Sequence, residues 1–162
     1  MRIRITAGRV LAVLLVAALA AAGFLGYGWH AAHQHEQAQA RLLAASRQFV
    51  VDFISISAAT VDQDLARVAV GATGEFADEF QRGMPTVRGA VLENKVESTG
   101  TVLRAGVVSG DADSAVVLVA ADATVKNAKA PQGRVAHYRI QLDVVLDEAS
   151  GAWLVSKLQF VG

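Results

Sequence analysis

The chain has 162 residues, 15 Lys and Arg against 15 Asp and Glu, four His and no Cys. That length supports one domain of ordinary size plus a short appendage, and the lack of cysteine excludes a disulfide framework, a thiolate nucleophile and a Cys-based zinc site. Arg2, Arg4 and Arg9 precede a long apolar run with no acid among them, so the remainder of the chain is net acidic by three, a poor holder of DNA or RNA.

The run from Val10 to Trp29 is twenty residues without a charge. As a helix it is about 30 Å long, enough to cross the hydrocarbon core. Val10, Leu14, Leu15, Leu19, Phe24 and Leu25 are its membrane-anchoring side chains, and Tyr27 and Trp29 suit the far interface. The basic residues before it favour a cytoplasmic N-terminus. Residues 1–9 are therefore expected to be a short basic cytoplasmic tail and 10–29 a transmembrane helix. A cleaved signal peptide is the competing reading, because Ala18-Leu19-Ala20 and Ala20-Ala21-Ala22 resemble cleavage sites. Those sites lie inside the apolar run, however, and its length favours a retained anchor. Either reading puts residues 30–162 outside the cytoplasm, and the anchor predicts a single-pass protein of the inner (plasma) membrane, its helix surrounded by membrane lipids.

Residues 30–41 are polar and alanine-rich and predict a stalk, followed by a domain over 42–162. His30, His33 and His35 could place two imidazoles on one helical face, but no Cys or Asp completes a metal set, so no metal site is expected. Leu42, Ser46, Phe49, Val50, Phe53 and Ser57 form one helical face. Thr60-Val61-Asp62-Gln63 has the form of a capping box, predicting a second helix to Val70 with Leu65, Val68 and Ala69 inward. Thr73 can cap a third that ends at Gly83, and Pro85 can start a short fourth through Leu92.

From Val96 the period changes to that of strands. Val96–Ser109, Ala115–Lys126, Arg134–Leu146 and Ala152–Phe160 are the predicted strands, joined by GDADS, NAKAPQGR and DEASG turns. Tyr138, Ile140, Leu142, Val144 and Leu146 point one way, with His137, Arg139, Gln141 and Asp143 facing water. Helices followed by four consecutive strands predict an α+β domain, with helices on one face of a curved antiparallel meander.

These residues carry a resemblance. Thr73-Gly74-Glu75-Phe76, preceded by Asp62, Asp64 and Leu65 and followed by Phe80, resembles the helical signature of actinobacterial (mycobacterial-type) Mce-associated membrane proteins. Gly106-Val107-Val108-Ser109, Tyr138-Arg139 and Trp153-Leu154-Val155 sit where that family has its strand motifs. The resemblance implies a membrane helix, a linking helix and a nuclear transport factor 2-like (cystatin-like) cone. It also implies a non-catalytic accessory or stabilising role in an Mce-type lipid importer, with Mce transporter subunits as partners.

Cone folds also include enzymes, so function rests on the site and not on the fold. Asp122 is the carboxylate of most interest, since it follows Val116, Leu118 and Ala120 on one strand face, where burial could raise its pKa and make it a base. Lys126 shares that face, and a strand-end carboxylate near solvent explains Asp122 equally well. Asp52 is expected at the boundary of the first helix's packed face. No carboxylate pair converges, and no phosphate loop, nucleophile elbow or HExxH is present, so neither catalysis nor a cofactor is expected. The rivals are a small cone-fold enzyme, a lipid carrier, or an assembly factor of another envelope complex such as a type IV secretion-like bridge.

Overall fold

The computed structural model describes residues 36–161. The chain divides into two compact units, Met1–Ala40 and Arg41–Gly162. In the first, only residues 36–40 are described, and they are helical. Val10–Trp29 and His30, His33 and His35 lie outside the described residues. Among those described, no helix is long and apolar enough to cross a membrane.

The second unit opens with helix α1 (41–54). Leu42, Ser46, Phe49, Val50 and Ile54 are buried, the spacing of one helical face. Ser46 satisfies its buried hydroxyl by donating to the Leu42 carbonyl at 2.9 Å. Ser57, expected on the same face, lies beyond the helix. Residues 56–58 turn out to pair with the start of the sheet, the Ile56 amide donating to the Ser98 carbonyl and the Ser98 amide to the Ile56 carbonyl.

Helix α2 spans Val61–Val70, with Val61, Asp64, Leu65 and Val68 buried. The expected capping box does not form: Thr60 makes no side-chain bond to the helix backbone, because its hydroxyl donates to the Asp64 carboxylate instead. Helix α3 runs unbroken from Gly74 to Glu93 with Pro85 inside it, where the sequence predicts two helices parted at Gly83. Pro85 lacks the N–H that would bond the Gln81 carbonyl, but it is exposed, so water can serve that carbonyl.

Strands β1 (Glu97–Gly110), β2 (Ser114–Asn127), β3 (Ala130–Asp147) and β4 (Ala152–Phe160) form one antiparallel meander in chain order. The β2–β3 hairpin is tighter than expected: Asn127 pairs with Ala130, and the Asn127 side-chain oxygen accepts from the Lys129 and Ala130 amides. Pro131 is tolerated in β3 because β4 pairs only from Ile140 onward, leaving that stretch an edge.

Alternation sorts the sheet into two faces. Ala115, Val117, Val119, Ala121 and Ala123 of β2 and Ile140, Leu142 and Val144 of β3 are buried and pack with α1 and Val68. A second cluster of Val61, Leu65 and Val91 joins α2 to α3.

Candidate functional site

The helical motif residues prove to be fasteners of the helix layer. The Asp64 carboxylate, with only 5% of its side chain exposed, accepts from the Ser57 amide at 2.9 Å and from the Thr60 hydroxyl at 2.9 Å. Arg67, one turn on, also bonds Asp64 and reaches Asp52 of α1 at 3.6 Å. Asp62 receives two hydrogen bonds from Arg88 of α3, at 2.6 and 3.2 Å. This bond holds the Asp62 carboxyl below its ordinary value of 3.8 and raises Arg88 in turn, as a charged partner must. Leu65 fills the cluster between α2 and α3.

Thr73, Gly74 and Val155 dock α3 onto β4. The Thr73 amide donates to the Val155 carbonyl at 2.9 Å and the Val155 amide to the Gly71 carbonyl at 2.8 Å. Gly74 has φ +55°, a backbone region costly for any residue with a Cβ. Glu75 is exposed in the first turn of α3. Trp153 faces Leu146 across the β3–β4 ladder, and Leu154 faces Val145.

Phe76 and Phe80 belong to a line of rings between the layers. Phe49, Phe53, Phe76 and Phe80 lie with successive centroids 5.7–6.3 Å apart, and Phe53 continues through Phe160 to Tyr138 at 6.4 and 6.0 Å. These separations are those of favourable aromatic contact. Phe49 is buried and Phe53, Phe76, Phe80 and Tyr138 are half-buried, whereas Phe160 is 60% exposed, so the line runs from the core out to the surface. Beside them the three helices leave a cavity of about 360 Å³, lined by Phe53, Ile56, Leu65, Val68, Phe76 and Phe80, with Asp52, Asp64 and Glu79 also on its wall.

The carboxylate of most interest is placed differently from a buried base. Asp122 lies on the outer sheet face with 32% of its side chain exposed, and its Oδ1 is 2.7 Å from His137 Nδ1, the residue opposite it in register. The pairing of these two was not legible from the sequence. Asp143, on the same face, accepts from the Gln141 amide group at 3.2 Å. Tyr138 and Arg139, adjacent in the motif, take opposite faces: Tyr138 joins the rings, and Arg139 stands exposed on the outer face. Arg67 and Arg88 were missed as motif partners. Arg67 could have been found from its i+3 spacing to Asp64, whereas Arg88 lies 26 residues from Asp62 and leaves no local signal.

A family model described as "Uncharacterized protein Rv1363c/MT1408-like" matches residues 4–162. The chain belongs to that family. Among its relatives, Uncharacterized protein Rv1363c of Mycobacterium tuberculosis is 33% identical over 139 residues, covering 86% of this chain and 52% of its own length. The chain therefore spans about half of that relative. Outer membrane protein Rv1973 of the same organism is 29% identical over 158 residues and covers 96% of both chains. The mycobacterial side of the expected resemblance is thus shown.

The Rv1363c/MT1408-like chain also shares its fold with solved structures of low identity. An IcmL-like type IV secretion system protein from Legionella pneumophila superposes with TM-score 0.63 at 12% identity, over 76% of this chain and 91% of that one. An Ntf2 like protein involved in plasmid conjugation gives 0.53 at 14%, over 77% and 49%. A ketosteroid isomerase-like protein from Erwinia carotovora atroseptica gives 0.50 at 20%, over 76% and 96%. The fold is α+β and nuclear transport factor 2-like, and it serves proteins of different kinds.

Proposed function

We propose that this Rv1363c/MT1408-like chain is a non-catalytic accessory subunit of the cell envelope, held at the inner membrane by Val10–Trp29, which stabilises an Mce-type lipid importer. The observation that carries the non-catalytic part of this reading is that the carboxylates of the helix layer serve as fasteners: Asp64 is bonded by Ser57, Thr60 and Arg67, and Asp62 by Arg88. An enzyme site needs polar groups free to meet a substrate; Asp64 on the cavity wall is engaged, Asp52 lies 3.6 Å from Arg67, and Asp122 and His137 meet on the outer face of the sheet. An envelope location is supported by the name of the Rv1973 relative and by the secretion-system protein that shares the fold.

The test is co-purification of the full-length protein, and of its domain on an unrelated membrane helix, with Mce subunits from detergent-solubilised membranes. Full-length protein should retain them, and its deletion should lower their abundance and lipid uptake. Failure of both forms to retain any subunit, with unchanged levels in the deletion strain, refutes the reading. Asp122→Asn should leave the role intact; its loss in a folded protein would restore the enzyme reading.

The helix-layer cavity favours one second reading, a carrier of a small apolar molecule, since its volume lies near the lower end of ligand pockets. Mass spectrometry of organic extracts from the purified protein decides it: a stoichiometric lipid supports a carrier.

A further inference from the structure

The outer sheet face holds a second concavity, a trough of about 260 Å³ over Ala120. Arg104 of β1 and Arg139 of β3 are both register partners of Ala120, so their backbones stand about 10 Å apart, two strand spacings. Small residues make the floor: Ala120 lies between the arginines, and Gly106 lies in the next row opposite Leu118. Leu118 and Val161, 41% and 36% exposed, supply apolar walls.

A β-bulge creates this arrangement. Val102 faces Ala121 on the inner side, and the register then skips Leu103 so that Arg104 faces Ala120. Strict alternation would have turned Arg104 towards the core; the extra residue re-aims it outward, level with Arg139. Among the described residues neither arginine has a carboxylate partner within ion-pair distance. The Arg104 guanidinium bonds its neighbour's carbonyl, that of Leu103, at 2.8 Å. Asp122, in the adjoining row, is engaged by His137.

We propose that the Arg104–Ala120–Arg139 trough is the docking site for an aspartate or glutamate side chain, flanked by apolar residues, on a protein partner. The exposed lining of the trough is almost wholly apolar, and the two arginines that bracket it can bring their guanidinium groups to one planar carboxylate at its rim. The apolar walls need apolar neighbours on the partner to cover them. An anionic bilayer is the poorer match, because binding a charged surface needs an extended positive field. The same face carries Asp122 one row away and Asp143 two rows away on the other side, and these interrupt the positive charge of Lys126 and Lys157. The proposal rests on the interaction-module reading and names its surface.

The test follows arginine side-chain NMR signals of the full-length protein in detergent micelles. The probes are a blocked valine–alanine–glutamate–alanine–valine peptide, its glutamine counterpart, inorganic phosphate, and phosphatidylglycerol bicelles. The glutamate peptide should shift the Arg104 and Arg139 signals saturably at roughly millimolar concentration, with the glutamine peptide about tenfold weaker or more. Arg104→Gln and Arg139→Gln should each weaken binding similarly, whereas Lys157→Gln, on the same face, should not. Dispersion of the Ile140 and Leu142 methyl signals checks that each variant is folded. Equal response to the two peptides, no saturable shift, or saturation by phosphate or bicelles but not by the peptide overturns the proposal. Co-purification with transporter subunits alongside such a failure would leave the accessory role standing and place its contact elsewhere.

Discussion

Removing the Asp64 carboxylate would take the acceptor from the half-buried Ser57 amide and from the exposed Thr60 hydroxyl, which can turn to water. Asp64→Ala should therefore lower the unfolding free energy by about 0.5–1.5 kcal/mol, the net worth of a hydrogen bond whose donor is still reached by water, read from the shift of a urea midpoint. An unchanged midpoint would mean that the α1–α2 connection rearranges freely. Exposed carboxylates act through pH instead. Asp62 is held low by Arg88, Asp111 by the Asp113 and Ser114 amides and the Ser114 hydroxyl, and Asp147 by the Ser150 hydroxyl and amide. Each is depressed in the folded state, so its contribution is fully present above its ordinary value of 3.8 and is lost as pH falls through the lower folded value. The melting temperature should fall on acidification through that range. The Asp62→Asn, Asp111→Asn and Asp147→Asn triple variant should show a shallower fall; an identical profile would contradict the assignment.

At the scale of elements, α3 is the least economical piece of the fold. A proline inside a helix costs about 3 kcal/mol relative to alanine, and Pro85 lies exposed near the middle of α3. Pro85→Ala should raise the unfolding free energy by about 1–3 kcal/mol as the Gln81 carbonyl regains its helical donor. A loss of stability would instead show that Pro85 helps to seat Met84 and Phe80 against the Val61–Leu65–Val91 cluster. The helix is continuous because those contacts, together with the docking of its first turn on β4, hold both halves in line. Packing of this kind overrides a local break signal. The strands were legible for the opposite reason. β3 alternates from Tyr138 to Leu146, and its buried residues are the apolar ones in that alternation.

For the whole molecule, the central expectation is that anchor and domain act together. Under the proposed function, an anchor at Val10–Trp29 would confine the domain to a thin layer beside the membrane, so that a contact too weak for free association could still be occupied. The basic cluster before Val10 and the length of the apolar run predict an intact N-terminus. Mass spectrometry of membrane-extracted protein should find it uncleaved. A mature chain starting near Ala21–Gly23 and released by a salt wash would show a signal peptide instead.

The order of elements, the inward face of β3, the start of α2 after Thr60 and the bounds of β4 were readable from the residues alone. Each depends on neighbours a few positions apart, where periodicity and turn chemistry act. Tertiary structure alone decided the partners of Asp62 and Asp122, the line of rings from Phe49 to Tyr138, and the outward turn of Arg104. These depend on the register between segments distant in sequence. One skipped residue reverses the face of everything beyond it, and the bulge at Leu103 does so without any mark in the local pattern.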